Sequence, residues 1–110
     1  MPDYSTPLLD LEVAVARARL SSTVEPVQRA DALNNLSVDL SNLGDADSRA
    51  EALDCARQAV AIYAWCHAQM PAAFERNLGI AKRTLMRAAE AAGADGEAES
   101  AKALAMFQAS

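Results

Sequence analysis

The chain has 110 residues, 52% of them apolar but only 5% aromatic, and carries a formal net charge of -5. This length suits a single domain, and the abundance of alanine favours closely packed helices over a β-sandwich. Acidic and basic residues are interleaved along the chain, and no apolar run is long enough to cross a bilayer. We therefore expect neither a nucleic acid nor a membrane as a partner.

The first two predicted helices are delimited by their terminal residues. The first begins at Thr6, which caps it, and Pro7, whose missing N–H costs nothing there, and it runs to about Leu20. The second begins at Pro26 and ends at Gly44, because glycine favours the left-handed conformation that closes a helix. Its apolar stripe has helical spacing and consists of Leu33, Leu36, Leu40 and Leu43.

The third predicted helix is long and opens with a capping box. Ser48 is expected to cap it, with Glu51 completing the box, and the helix reaches about Gln69. Its core stripe consists of Leu53, Ala56, Val60 and Tyr63. Trp65 lies off this stripe, so we expect it to serve a helix-packing or subunit contact.

Two more helices are predicted after the second proline-led boundary. Pro71 opens the fourth helix and Gly93 closes it. Its apolar stripe consists of Phe74, Leu78, Ala81, Leu85, Ala88 and Ala92. A fifth helix is expected from about Glu97 to Gln108, and its apolar side consists of Ala101, Leu104 and Ala105, with Phe107 near the end. The sequence thus predicts an all-α fold of about five antiparallel helices.

The chain also contains an internal repeat. A displacement of 45 residues superimposes apolar positions and both helix-opening prolines. The matched pairs are Leu8 with Leu53, Pro26 with Pro71, Leu33 with Leu78 and Leu40 with Leu85. The register then breaks by one helical turn, because Gly44 corresponds in role to Gly93.

One stretch resembles a known family. Residues 32–37 read Ala-Leu-Asn-Asn-Leu-Ser, and Leu40, Gly44, the Glu-Ala-Leu of 51–53 and the Ala-Val-Ala-Ile-Tyr of 59–63 follow. This pattern resembles a tetratricopeptide repeat of the long, kinesin-light-chain-like kind. The linker after the glycine is about three residues longer than in that pattern, no aromatic residue follows the glycine, and the period is longer.

The resemblance implies a right-handed stack of helical hairpins within one domain. It covers residues 30–63 well and residues 74–107 loosely. The implied layout is a half repeat at 6–22, a repeat at 26–69 and a degenerate repeat at 71–109. A half repeat leaves an open flank on the first helix, which needs a cap, another domain or a second copy of the chain.

The two cysteines do not form a disulfide in this interpretation. Cys55 and Cys66 lie eleven positions apart on one helix, which separates them by about 16 Å. Two free thiols, with no apolar signal segment after Met1, indicate a reducing cytoplasm.

No set of residues predicts catalysis or a cofactor. Cys66 and His67 are adjacent, so they point about 100° apart on a helix, and His67 is the only histidine. Structural zinc needs four ligands, and the Cys/His set has three residues on one helix. The glycines are scattered and form no phosphate loop. We therefore expect no enzyme, no metal site and no cofactor.

The family resemblance does imply a binding groove, because the first helix of each repeat lines a concave surface. The positions carried over are Asp31, Asn34, Asn35, Val38 and Asn42 on the second helix, and Arg83, Thr84 and Arg87 on the fourth. Independently, Arg76, Arg83 and Arg87 fall within about 40° of one another, opposite the apolar stripe.

These side chains suggest an acidic ligand, although a simpler interpretation exists. Asparagine can hydrogen-bond a peptide backbone and arginine can bind a carboxylate with two bonds, which favours an acidic peptide or chain terminus. The simpler interpretation is a solvated surface, with Arg87 steadied by Glu90.

Three hypotheses for function follow. The first is a non-catalytic adaptor that binds a protein or peptide in the groove. The second is a self-assembling domain, a homodimer formed through the first helix, with Arg76 and Trp65 as possible interface residues. The third is a small bundle enclosing an apolar ligand, suggested by Met70, Met86, Met106 and Phe107.

Overall fold

The structure, a computed structural model, describes residues 12–14, 17 and 25–109. These residues form four α-helices, and the backbone at 12–14 and 17 is also helical. The helices are α1 (Pro26–Leu43), α2 (Ala46–Gln69), α3 (Pro71–Ala91) and α4 (Gly96–Ala109). The prediction of an all-α fold is confirmed. Most of the predicted first helix, and of the half repeat at 6–22, lies outside the described residues.

Proline and glycine mark most helix ends where the sequence predicts them. Pro26 and Pro71 each occupy the first turn of their helix. Gly44 follows α1 with a φ of 79°, and Gly93 lies just past α3 with a φ of 71°. At Gly93, the N–H of Ala94 donates to the carbonyl of Ala89 at 2.8 Å, as in a helix-closing turn.

The predicted cap of α2 is wrong. The helix begins at Ala46, two residues before Ser48, and Asp45 is the capping residue. The Asp45 carboxylate accepts a hydrogen bond from the Ser48 N–H at 3.0 Å. Aspartate caps as well as serine does and comes earlier in the chain, so the helix starts there. Glu51 takes no part in the cap and instead forms an ion pair with Arg17, with 2.6 Å between Glu51 Oε2 and Arg17 Nη2.

Substitution by alanine is expected to have opposite effects on stability at two glycines. Gly44 has a left-handed backbone, so Gly44→Ala is expected to lower the free energy of unfolding by about 1 kcal/mol. Gly79 lies inside α3 with open space where a β-carbon would stand, so Gly79→Ala is expected to raise it by about 0.5–1 kcal/mol. Urea denaturation followed by circular dichroism measures both. A loss of stability in Gly79→Ala would contradict the open space seen around this position.

A first core cluster joins all four helices. It is rich in alanine, which lets the helix axes approach closely, and it holds the fully buried Val60 and Leu85. Its members are Ala30, Leu53, Ala56, Val60, Tyr63, Ala81, Leu85, Ala88, Ala89 and Ala103. The predicted core stripe of the third helix is confirmed by this cluster, because all four of its residues are buried.

A second cluster joins α1, α2 and the helical segment at residue 13. Its members are Val13, Leu33, Leu36, Leu40, Ala52, Cys55 and Ala59. Within this contact, the buried hydroxyl of Ser37 donates to the carbonyl of Ala52 at 2.7 Å. Val13 thus packs in a cluster whose buried members otherwise come from α1 and α2.

Short linkers fix the relative directions of the helices. Consecutive helices are joined by one to four residues and pack against each other, so they run antiparallel. α1 also contacts α3, and α2 contacts α4. Within each of these two pairs the helices therefore run in the same direction.

The apolar side predicted for the last helix is wrong at two of its three core positions; the third, Leu104, is half-buried and packs against the first cluster. Ala101 and Ala105 are exposed, whereas Glu99 and Ala103 are buried. An ion pair explains the rotation: Arg57 Nε on α2 lies 3.2 Å from Glu99 Oε2, and Lys102 Nζ lies 3.1 Å from Glu99 Oε1. The Arg57 N–H does not point along the Nε–Oε2 line, so this contact is an ion pair and not a hydrogen bond.

The predicted apolar stripe of the fourth helix, α3 in the structure, is also wrong at its last position. Ala92 is exposed, because α3 ends at Ala91 and the chain turns through Gly93. The stripe before it is confirmed at Ala81, Leu85 and Ala88, which are buried.

Candidate functional site

Four exposed residues of α1 lie on one face of that helix. Asp31, Asn35, Val38 and Asn42 are separated by steps of four, three and four, which keeps them within about 60° of one another. Val38 is 44% exposed, although it is apolar. We call this set the α1 strip.

An equivalent set lies on α3. Arg76, Ile80, Arg83 and Arg87 have the same spacing and are all exposed, with Ile80 at 37%. We call this set the α3 strip. The displacement of 45 residues seen in the sequence carries each member of the α1 strip onto one member of the α3 strip. Because α1 and α3 are parallel and in contact, the strips occupy equivalent positions on neighbouring helices.

A buried hydroxyl connects three helices beside these strips. Tyr63 on α2 is 3% exposed, and its hydroxyl donates a hydrogen bond to Asp31 Oδ1 on α1. Asn77 on α3 also hydrogen-bonds this hydroxyl. Burial and then the bond to Asp31 raise the pKa of Tyr63, and the Asn77 bond partly opposes that rise. Asp31 therefore serves the fold as an acceptor and is not a free carboxylate.

Two of the predicted groove residues do not lie on the strips. Asn34 is half-buried, and its Oδ1 is buried with no hydrogen-bond partner among the described residues. Thr84 is also half-buried, and its hydroxyl donates to the carbonyl of Ile80 within the same helix at 3.2 Å. The Asn34 carbonyl oxygen is buried and the Thr84 hydroxyl is bonded to the backbone of its own helix, so neither of these two groups is free for a ligand on the strips.

The arginines of the α3 strip carry positive charge that the described residues do not neutralise. The ion pairs in this part of the chain are those of Glu51 with Arg17 and of Glu99 with Arg57 and Lys102. No described carboxylate lies within 4 Å of the three strip arginines, so the predicted steadying of Arg87 by Glu90 does not occur there. All three guanidinium groups face solvent.

From the sequence we predict Val38 and the buried Tyr63, but we do not predict Ile80 or the hydrogen bond of Tyr63. Two signals in the sequence point to Ile80: it lies between Arg76 and Arg83 at helical spacing, and it matches Asn35 in the repeat. The link from Tyr63 to Asp31 and Asn77 crosses three helices, so no local pattern predicts it.

The thiols are poor nucleophiles. Burial, with a smaller contribution from Glu51 and Asp54, raises the pKa of Cys55 to about 11, and burial also raises the pKa of Cys66. Both side chains therefore remain thiols near neutral pH. Among the described residues, no group of three or more His, Cys, Asp or Glu side chains is arranged to hold a metal. None of the helices in this part of the chain is long and apolar enough to span a bilayer.

The methionines do not line a common cavity. Met70, Met86 and Met106 are 60%, 45% and 41% exposed. An open depression of about 300 Å³ lies instead between the start of α2 and the end of α3. It is lined by Ala46, Arg49, Ala50, Leu53, Ala91, Ala92 and Ala94. An enclosed apolar ligand therefore gains no support from the described residues.

Comparisons with known proteins found no match: no family model fits the chain, and no curated protein or solved structure is significantly similar to it.

Proposed function

We propose that the chain is a non-catalytic protein–protein interaction module that binds an acidic segment of a partner across the α1 and α3 strips. One observation carries the proposal. Three arginines without a carboxylate partner among the described residues surround an exposed isoleucine on one face of α3, beside the matching strip of α1. Such a surface is unusual in a chain with a net charge of -5.

The two strips offer complementary contacts. Arg83 and Arg87 can each hold a carboxylate with two parallel hydrogen bonds. Asn35 and Asn42 carry both donors and acceptors, which suits the backbone of a bound segment. Val38 and Ile80 supply apolar area at the centre. Because these residues lie on packed helices, their backbone is already ordered, and the ordering cost of binding falls on the side chains.

The resemblance to tetratricopeptide repeats remains part of this proposal. The pairing of α1 with α2 and of α3 with α4, together with the contact of α1 with α3, supports it. We also infer a cytoplasmic location, supported by two buried free cysteines that fit a reducing compartment.

The test compares the wild type with two variants of equal total charge. Arg83→Glu/Arg87→Glu reverses the α3 strip, and Arg29→Glu/Lys82→Glu reverses two exposed positions off the strips. We expect the wild type and the control to capture the same acidic partner from lysate, and the strip variant to bind that partner roughly tenfold more weakly or worse.

Isothermal titration with the purified partner gives the affinities, and circular dichroism checks that all three proteins are helical. Equal affinities for the strip variant and the control would refute the proposed surface.

A further inference from the structure

A second surface strip, of opposite charge, lies on α2. Asp47, Asp54, Gln58 and Trp65 are separated by seven, four and seven residues and fall within about 40° of one another. Asp47, Asp54 and Trp65 are exposed, and Gln58 is half-buried and donates to Asp54 at 2.8 Å. Trp65 is 46% exposed although it is the largest apolar side chain of the protein. We call this set the α2 strip.

The α2 and α3 strips have matching lengths. Asp54 to Trp65 and Arg76 to Arg87 each cover eleven residue steps, about 16 Å of helix. If two such helices lie antiparallel, Arg87 stands opposite Asp54 and Arg76 stands opposite Trp65. In the same register, Ile80 lies opposite Ala61, which is half-buried and apolar.

We propose that the chain associates with itself head to tail, with the α3 strip of one copy lying antiparallel on the α2 strip of the next. This inference rests on the proposed function, because it uses the same arginines, and it names a second copy of the chain as the acidic partner. In this contact Arg87 pairs with Asp54 at one end, and the Arg76 guanidinium lies on the indole face of Trp65 at the other. Between them Ile80 contacts Ala61.

Because the proposed contact is head to tail, the α3 strip of one copy meets the α2 strip of the next while its own α2 strip stays open, and the contact is therefore heterologous. Each bound pair leaves one α3 strip and one α2 strip unused, and these can bind further copies. Association is therefore expected to extend beyond a dimer as concentration rises.

Sedimentation equilibrium of the full chain tests this proposal. The wild type is expected to show a mass that rises with concentration past that of a dimer. Arg83→Glu/Arg87→Glu removes the α3 strip, and Asp54→Ala/Trp65→Ala removes the α2 strip without adding a positive charge that could pair with the new glutamates. Each is expected to weaken association roughly tenfold or more. Arg29→Glu/Lys82→Glu is the matched control and should associate like the wild type.

A mixing experiment identifies the geometry. The α3-strip variant keeps its α2 strip, and the α2-strip variant keeps its α3 strip. An equal mixture is expected to restore one contact and to stop at a dimer of one copy of each. All substituted residues are exposed, so both variants are expected to remain helical, and circular dichroism checks this.

The outcomes separate this inference from the proposed function. A wild type that is monomeric at every concentration overturns self-association, and so does a mixture that forms no dimer. Neither result affects the capture of a different acidic protein, which the comparison of the Arg83→Glu/Arg87→Glu and Arg29→Glu/Lys82→Glu variants tests separately.

Discussion

Leu85→Ala is expected to lower the free energy of unfolding by about 3 kcal/mol. Leu85 has no exposed surface and lies in the cluster that joins all four helices. Its neighbours there include Ala81, Ala88 and Ala89, whose short side chains cannot move in to fill the space. The loss therefore combines the burial free energy of the removed side-chain carbons with the cost of the cavity that they leave.

Ile80→Ala is the matched control for this substitution. It removes a side chain of similar size from the same helix, but Ile80 is 37% exposed. We expect a change within about 1 kcal/mol, since alanine also favours the helix more than isoleucine does. Urea denaturation followed by circular dichroism measures both. Equal losses for the two variants would contradict the burial of Leu85.

Glu99→Leu is expected to have the second largest effect, a loss of about 2 kcal/mol that falls mainly on α4. The substitution leaves the Arg57 guanidinium, whose side chain is only 26% exposed, without its carboxylate. Lys102 matters less, because its side chain is 61% exposed. Among the described residues of α4, Ala103 is buried and Leu104 packs half-buried against the first cluster, so the ion pair adds to a small apolar contact.

The double variant Arg57→Leu/Glu99→Leu separates the ion pair from simple burial. With both charges gone, we expect most of the lost stability to return, because two apolar side chains can pack where the pair stood. Hydrogen exchange of the α4 amides gives the local readout, and they should exchange faster in Glu99→Leu alone. Unchanged exchange in the single variant would mean that apolar contact alone holds α4.

Much of the fold could be predicted from local chemistry. Pro26 and Pro71 fix their own φ, and Gly44 and Gly93 readily adopt the positive φ that ends a helix, so the ends of α1 and α3 follow from the sequence. The start of α2 could not be predicted in the same way, because Asp45 and Ser48 are both good capping residues. The helix begins after Asp45, which comes first in the chain.

The orientation of α4 depends on a residue far away in the sequence. Four of its alanines, at 98, 101, 105 and 109, fall within about 80° of one another, and Ala103 lies on the other side, so the alanine pattern alone favours the wrong face. The choice is made by Arg57, which lies 42 residues before Glu99 and draws that carboxylate inward. A pattern search within α4 places Ala101 and Ala105 in the core for this reason.

The candidate site was predictable in outline only. Helical spacing alone places Arg83 and Arg87 on one exposed face. Asn34 and Thr84 belong to the predicted face but are half-buried, in a structure where α1 and α3 contact each other. Such a contact between helices is not encoded in the period of either one.

The position of Trp65 determines what optical spectroscopy can detect in this protein. It is the only tryptophan of the chain, and about half of it is in water in the folded state. Unfolding moves an already hydrated indole into water, so tryptophan emission is a poor monitor of the core. The same emission is a selective monitor of the α2 surface: a shift to shorter wavelength at constant helicity means that another molecule has covered it.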